Sequence, residues 1–127
     1  MSAAPVETEL KLAVSPDALA ALRARLAPFG RPRRATLVGV YYDTDDLRLS
    51  RGRAALRLRR SGRRWVQTFK TGAPLAAFAK RGEWETPAPG GRLHLELLGD
   101  SPLGRLLGKR GAHELAPRYA TRFVRET

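Results

Sequence analysis

The 127 residues contain no cysteine, which excludes a disulfide framework and any thiolate metal site. The sequence also has no glycine-rich phosphate loop, no catalytic triad and no nucleotide-binding fingerprint, so the best-known motif-based routes to nucleotide and acyl chemistry are absent. Nothing approaches the apolar length that crosses a bilayer. Glu7 and Glu9 follow Met1-Ser2-Ala3-Ala4-Pro5 before the apolar run of a signal peptide forms, so a cytoplasmic protein with no membrane partner is expected. Acidic residues are scarce beside basic ones: 12 Asp plus Glu against 24 Lys plus Arg leave a formal charge of +12. With a pI near 11.4, the expected partners are polyanions. Aromatics make up only 7% of the chain, and few are placed for base stacking. Nucleic acid is disfavoured on that ground, and also because Glu7, Glu9, Glu83 and Glu85 among the basic residues would repel a phosphate backbone. There is no internal repeat and no low-complexity tract. A hydrophobic fraction of 43% is too high for wholesale disorder, and the length suits one modest domain, residues 1–127.

What is present starts near the N-terminus, in Val6-Glu7-Thr8-Glu9-Leu10-Lys11-Leu12. Read as a β-strand, it places Glu7, Glu9 and Lys11 on one face, successive members roughly 7 Å apart. Two carboxylates in register repel unless a cation lies between them, and hard divalent cations such as Mg²⁺ or Mn²⁺ take such oxygen ligands. An amphipathic edge strand with a merely wet polar face would give the same pattern. Three further runs repeat the alternation. Arg57 and Arg59 alternate with Leu56 and Leu58, Lys70 closes Arg64-Trp65-Val66-Gln67-Thr68-Phe69-Lys70, and Arg81, Glu83 and Glu85 lie opposite Trp84. Charges of mixed sign at alternate positions of four strands read as the inner wall of a polar-lumened barrel, its apolar outside covered by helices.

These segments resemble the CYTH superfamily, also called triphosphate tunnel metalloenzymes, which includes certain adenylyl cyclases, thiamine triphosphatases and inorganic triphosphatases. Glu7-Thr8-Glu9-Leu10-Lys11 looks like the family's E-x-E-x-K signature. The match continues in order through Tyr41-Tyr42-Asp43-Thr44, Arg51-Gly52 with Ala55-Leu56-Arg57-Leu58-Arg59, Gln67-Thr68-Phe69-Lys70, Arg81-Gly82-Glu83-Trp84-Glu85 and Pro117 to Arg125. Asp45 departs from the proline the family often has after Asp-Thr.

The resemblance implies an α+β fold, an antiparallel β-barrel of the triphosphate tunnel type with helices packed outside. Because the family domain runs on beyond this length, it also implies a barrel left incomplete, truncated at the C-terminal side. It further implies metal-dependent hydrolysis of the terminal phosphate of inorganic triphosphate (tripolyphosphate) or a related compound. Glu7, Glu9 and Lys11 would be catalytic, with Glu7, Glu9, Glu83 and Glu85 at the metal, Mg²⁺ or Mn²⁺. Lys11, Arg57, Arg59, Lys70, Arg81 and Arg125 would bind the triphosphate. Phosphoryl transfer suits such a set, since it asks for charge neutralisation and positioning rather than covalent chemistry. Two other readings stay open: a non-catalytic polyphosphate- or nucleotide-binding module, and a basic nucleic-acid-binding domain on charge alone. Two unpaired sheet edges would favour a homodimer that rebuilds the enclosure.

Along the chain, Ser15-Pro16 caps a helix to about Leu26, whose Leu19, Leu22 and Leu26 are expected to pack on the barrel's outside. Strands are expected over Thr36 to Thr44, Ala54 to Ser61 and Arg64 to Thr71, the last two joined at Ser61-Gly62. Gly72 to Ala79 reads as a loop before a fifth strand to Thr86, and Pro87 to Gly91 as a breaker. Arg92 to Leu98 alternates like a strand, but the resemblance implies a loop or short helix. Ser101-Pro102 then caps a short helix to about Lys109. Asp43, Asp45 and Asp46 lack the glycine and distal glutamate of a calcium loop and read as a turn. His94 and His113 read as ordinary surface groups, and Arg31 to Arg34 as a solvated loop.

Overall fold

The computed structural model describes the backbone of residues 6–72 and 78–127 and the side chains of residues 8–72 and 82–127. Its strands are β1 (Val6–Leu10), β2 (Arg34–Asp43), β3 (Ala54–Ser61), β4 (Arg64–Thr71), β5 (Phe78–Pro87) and β6 (Ala116–Glu126). They form one six-stranded sheet in the order β1-β5-β4-β3-β2-β6, with every neighbouring pair antiparallel. The outermost strands β1 and β6 are not paired with each other among the described residues, so the barrel is not closed. The architecture is α+β, as expected.

The alternation in β3 to β5 decides which side of the sheet is packed. Leu56, Phe69 and Trp84 are cross-strand partners and therefore project to one face. Together with Leu49, Leu98, Leu103 and Leu107 they form the core cluster. Those last four residues belong to α2 (Arg48–Arg51), a 3-10 turn (Leu95–Leu98) and α3 (Leu103–Glu114), so the helical segments cover the outer face over its central strands. Gln67 is completely buried on this side and fully engaged. Its Nε2 donates to Thr86 Oγ1 (2.8 Å) and to the His94 carbonyl (2.7 Å), while its Oε1 accepts from the His94 N–H (2.8 Å). That clamp holds residues 92–94 off the sheet and explains why an alternating sequence there forms no strand.

Several expectations shift. The second strand begins at Arg34 rather than Thr36, and β6 runs the full 11 residues, paired with β2 from Arg34↔Glu126 to Asp43↔Ala116. The fifth strand starts at Phe78, and residues 73–77 of the expected loop lie outside those described. The helix after Ser101 continues to Glu114 through a break at Gly108 (φ 71°, ψ −177°), a conformation that glycine adopts without steric cost. There Arg48 Nη1 donates to the Leu107 carbonyl at 2.6 Å, satisfying an acceptor the break releases. Helix α2 was not visible as a periodic segment because a side chain organises it. The Asp43 carboxylate accepts from the N–H groups of Thr44 (2.8 Å), Leu49 (3.0 Å) and Ser50 (3.1 Å). Asp43 thus caps the turn, while Asp46 accepts from Thr44 Oγ1 at 2.7 Å and Asp45 from Arg118 Nη2 at 2.7 Å.

The largest departure concerns α1 (Pro16–Leu26). Its start is as expected, with Ser15 Oγ accepting from the Ala18 N–H at 3.2 Å, but no residue of the helix is buried. Leu19, Leu22 and Leu26 remain 39%, 41% and 52% exposed, so the stripe does not pack on the outside of the sheet. Arg23 tethers the helix to β6 through Glu126 at 3.0 Å, and Arg34 joins the same carboxylate at 3.1 Å. These exposed ion pairs contribute little. The physical reason is coverage: α2, α3 and the 3-10 turn occupy the outer face, leaving α1 and the Leu10 side of β1 against solvent.

A candidate anion-binding face

The opposite face of the sheet is polar, and cross-strand register arranges it in rows. One row runs Glu85, Thr68, Arg57, Tyr41 and Tyr119 across β5, β4, β3, β2 and β6. The next runs Val66, Arg59, Gly39 and Thr121. On the β5 side, Lys70 pairs with Glu83. Beyond it β1 aligns position 7 with position 81 and Glu9 with Ala79. The side chains of Glu7 and Arg81 lie outside those described.

The described contacts divide the expected residues into two groups. Toward β1 the charges are compensated: Lys11 Nζ lies 3.0 Å from Glu9, and Lys70 Nζ lies 3.7 Å from Glu83. Lys11 follows the end of β1 and is largely exposed. Glu85 accepts from Thr68 Oγ1 at 3.0 Å, and that hydroxyl lies 3.5 Å from Arg57 Nη2. Toward β6 the charge is positive, and Arg57, Arg59 and Arg125 make no ion pair among the described residues. The Arg59 and Arg125 guanidinium carbons lie 5.3 and 5.6 Å from the centroid of the Phe123 ring, within cation–π range. Burial first, then the positive charges of Arg57 and Arg125, depress the Arg59 pKa, opposed by Tyr41 and Glu85. Tyr119 stacks on Tyr41 with centroids 4.5 Å apart and planes at 11°. Its pKa is pushed up by burial, then by Tyr41 and Asp43.

Arg57 Nε, Arg59 Nε and Thr121 Oγ1 are buried with no hydrogen-bond partner among the described residues. Leaving a buried donor unpaired costs about 1–3 kcal/mol, more for a charged group. Three such atoms at neighbouring register positions therefore make a place where an anion with several acceptor oxygens gains unusually much. For a divalent metal the donor chemistry is of the right kind, hard carboxylate oxygens of Glu9, Glu83 and Glu85 on the two adjoining strands. Among the described residues, however, no three acidic or histidine groups converge on one point.

Some of the site was hidden from the sequence. Thr68 shares the alternation of Lys70 and was findable by period two. Gly39, Thr121 and the Tyr41–Tyr119 stack depend on the pairing of β2 with β6, which no local pattern encodes. His94 is more than a surface group: its Nε2 lies 3.0 Å from the Pro89 carbonyl and its Nδ1 3.3 Å from Glu96.

Comparison with known proteins supports the same architecture. The profile of the CYTH domain matches residues 6–127. Among solved structures, a candidate adenylyl cyclase from Hippeastrum, described as having a dominant triphosphatase activity, superposes with a TM-score of 0.65 at 22% identity over 94% of this chain. A candidate adenylate cyclase from Bacillus halodurans gives a TM-score of 0.59 at 19% identity over 92% of the chain. The chain spans 63% and 62% of the lengths of these two proteins. Among curated protein sequences there is no significant match.

Proposed function

This chain belongs to the CYTH domain family, and on that premise we propose that its polar face binds inorganic triphosphate or a related triphosphate compound and hydrolyses the terminal phosphate with Mg²⁺ or Mn²⁺. The observation that carries the reading is the pair of buried Nε donors on Arg57 and Arg59 that have no partner among the described residues, which an oxyanion would satisfy. In this proposal Lys11, Arg57, Arg59, Lys70, Arg81 and Arg125 hold the triphosphate. Glu7, Glu9, Glu83 and Glu85 hold the metal, with Glu7, Glu9 and Lys11 nearest the reaction. When bound, the cation supplies neutralisation of phosphate charge and a fixed geometry for the leaving group. The chain's own part is to align the phosphates along the arginine rows and to limit water around them, which strengthens every charge interaction. The triphosphatase activity described for the Hippeastrum protein supports hydrolysis. The open barrel favours a second reading, a non-catalytic polyphosphate- or nucleotide-binding module.

One assay separates the two. Phosphate release from tripolyphosphate is expected only with Mg²⁺ or Mn²⁺, and is expected to collapse in Glu7→Gln/Glu9→Gln. Release that survives EDTA would remove the metal assignment, and saturable binding without release would favour the binding module. Cytoplasmic location is part of the same proposal. No helix among the described residues is long and apolar enough to cross a membrane.

A further inference from the structure

Gly39 lies mid-strand in β2, facing the polar side between Arg59 of β3 and Thr121 of β6. Its φ is not in the left-handed region, so the backbone places no demand for glycine there. Strand interiors disfavour glycine, which loses entropy and packs nothing. Its neighbours Val38, Val40, Tyr41 and Tyr42 are the residue types strands prefer. Space supplies the reason. A Cβ at this position would lie 3.1 Å from Thr121 Oγ1, 3.5 Å from Arg57 Cδ and 3.8 Å from Arg57 Cγ. The Arg57 stem and the Thr121 hydroxyl thus lie over bare backbone, and Arg59, whose Nε is likewise without a partner among the described residues, is the cross-strand partner of Gly39.

We propose that Gly39 is a positioning residue that sets the depth of the anion site, its missing side chain being the room in which Arg57 and Arg59 close on a terminal phosphoryl group. The inference rests on the triphosphate reading of this face and adds the element that shapes it. A methyl at position 39 crowds the Thr121 hydroxyl and touches the Arg57 stem at van der Waals distance, and a valine fills the floor.

The test compares the intact chain with Gly39→Ala and Gly39→Val in two measurements, thermal midpoint and calorimetric titration with tripolyphosphate and Mg²⁺. Loss of room for the Arg57 and Arg59 side chains is expected to lower affinity roughly tenfold for alanine and on the order of a hundredfold for valine. The midpoint is expected to hold or rise, because both replacements suit a strand better than glycine. Loss of affinity without loss of midpoint is the signature, since a purely structural role would lower both. Native affinity in both variants would overturn the proposal while leaving the triphosphate reading intact, provided Arg59→Ala still weakens binding. Unfolding of both variants would also overturn it, assigning Gly39 to packing. Failure of the native chain to bind tripolyphosphate would remove the parent reading itself, and the Gly39 proposal with it.

Discussion

Replacing Arg57 and Arg59 together by alanine is expected to remove tripolyphosphate binding while leaving the fold at least as stable. Hydrogen bonds to charged groups contribute about 1.5–3 kcal/mol each, so losing two guanidinium partners corresponds to an affinity drop on the order of 10²- to 10⁴-fold. The stability effect runs the other way. Each Nε is buried without a partner among the described residues, and burial first, then the positive charges of Arg57 and Arg125, lowers the Arg59 pKa. Truncation removes an unfavourable term, and Glu85, the carboxylate coupled to Arg59, keeps its hydrogen bond from Thr68. Urea midpoints and ligand titration on the same samples decide the matter. A variant that binds like the native chain, or that unfolds, would contradict the account.

The second large effect lies on the other face. Phe69 is fully buried and packs on Trp84 with ring centroids 5.8 Å apart, at the centre of the cluster that joins α2, the Leu95–Leu98 turn and α3 to the sheet. Phe69→Ala is expected to cost about 3–5 kcal/mol, a large share of the roughly 5–15 kcal/mol that stabilises a typical domain. Leu22→Ala on α1 is the matched comparison: the side chain is an apolar residue of a regular helix but is 41% exposed, so a change within about 0.5 kcal/mol is expected. Chemical denaturation of the two variants measures both. Equal losses would mean that α1 packs as the sequence pattern implies.

That contrast shows where the sequence was legible. Alternation in β3, β4 and β5 identifies both faces correctly because each side chain's face follows from period two alone. Ser15 and Pro16 locate the start of α1 because capping is local. The leucine stripe of α1 is equally clear as a pattern, yet a stripe says only that a face is apolar and nothing of what covers it. Helix α2 escaped because its N–H groups are satisfied by Asp43, a residue outside the helix. Arg57 and Arg59 were readable as members of one cationic face. Their juxtaposition with Thr121, Phe123 and Gly39 was not, because the pairing of β6 with β2 spans most of the chain, and such long-range pairing leaves no local trace.

The most direct test of the central claim is calorimetric titration of tripolyphosphate into the native chain with Mg²⁺, repeated with Arg57→Ala/Arg59→Ala. The account predicts saturable binding at one site per chain in the native protein and none in the variant. Absence of saturable binding to the native chain, or undiminished binding to the variant, would contradict it.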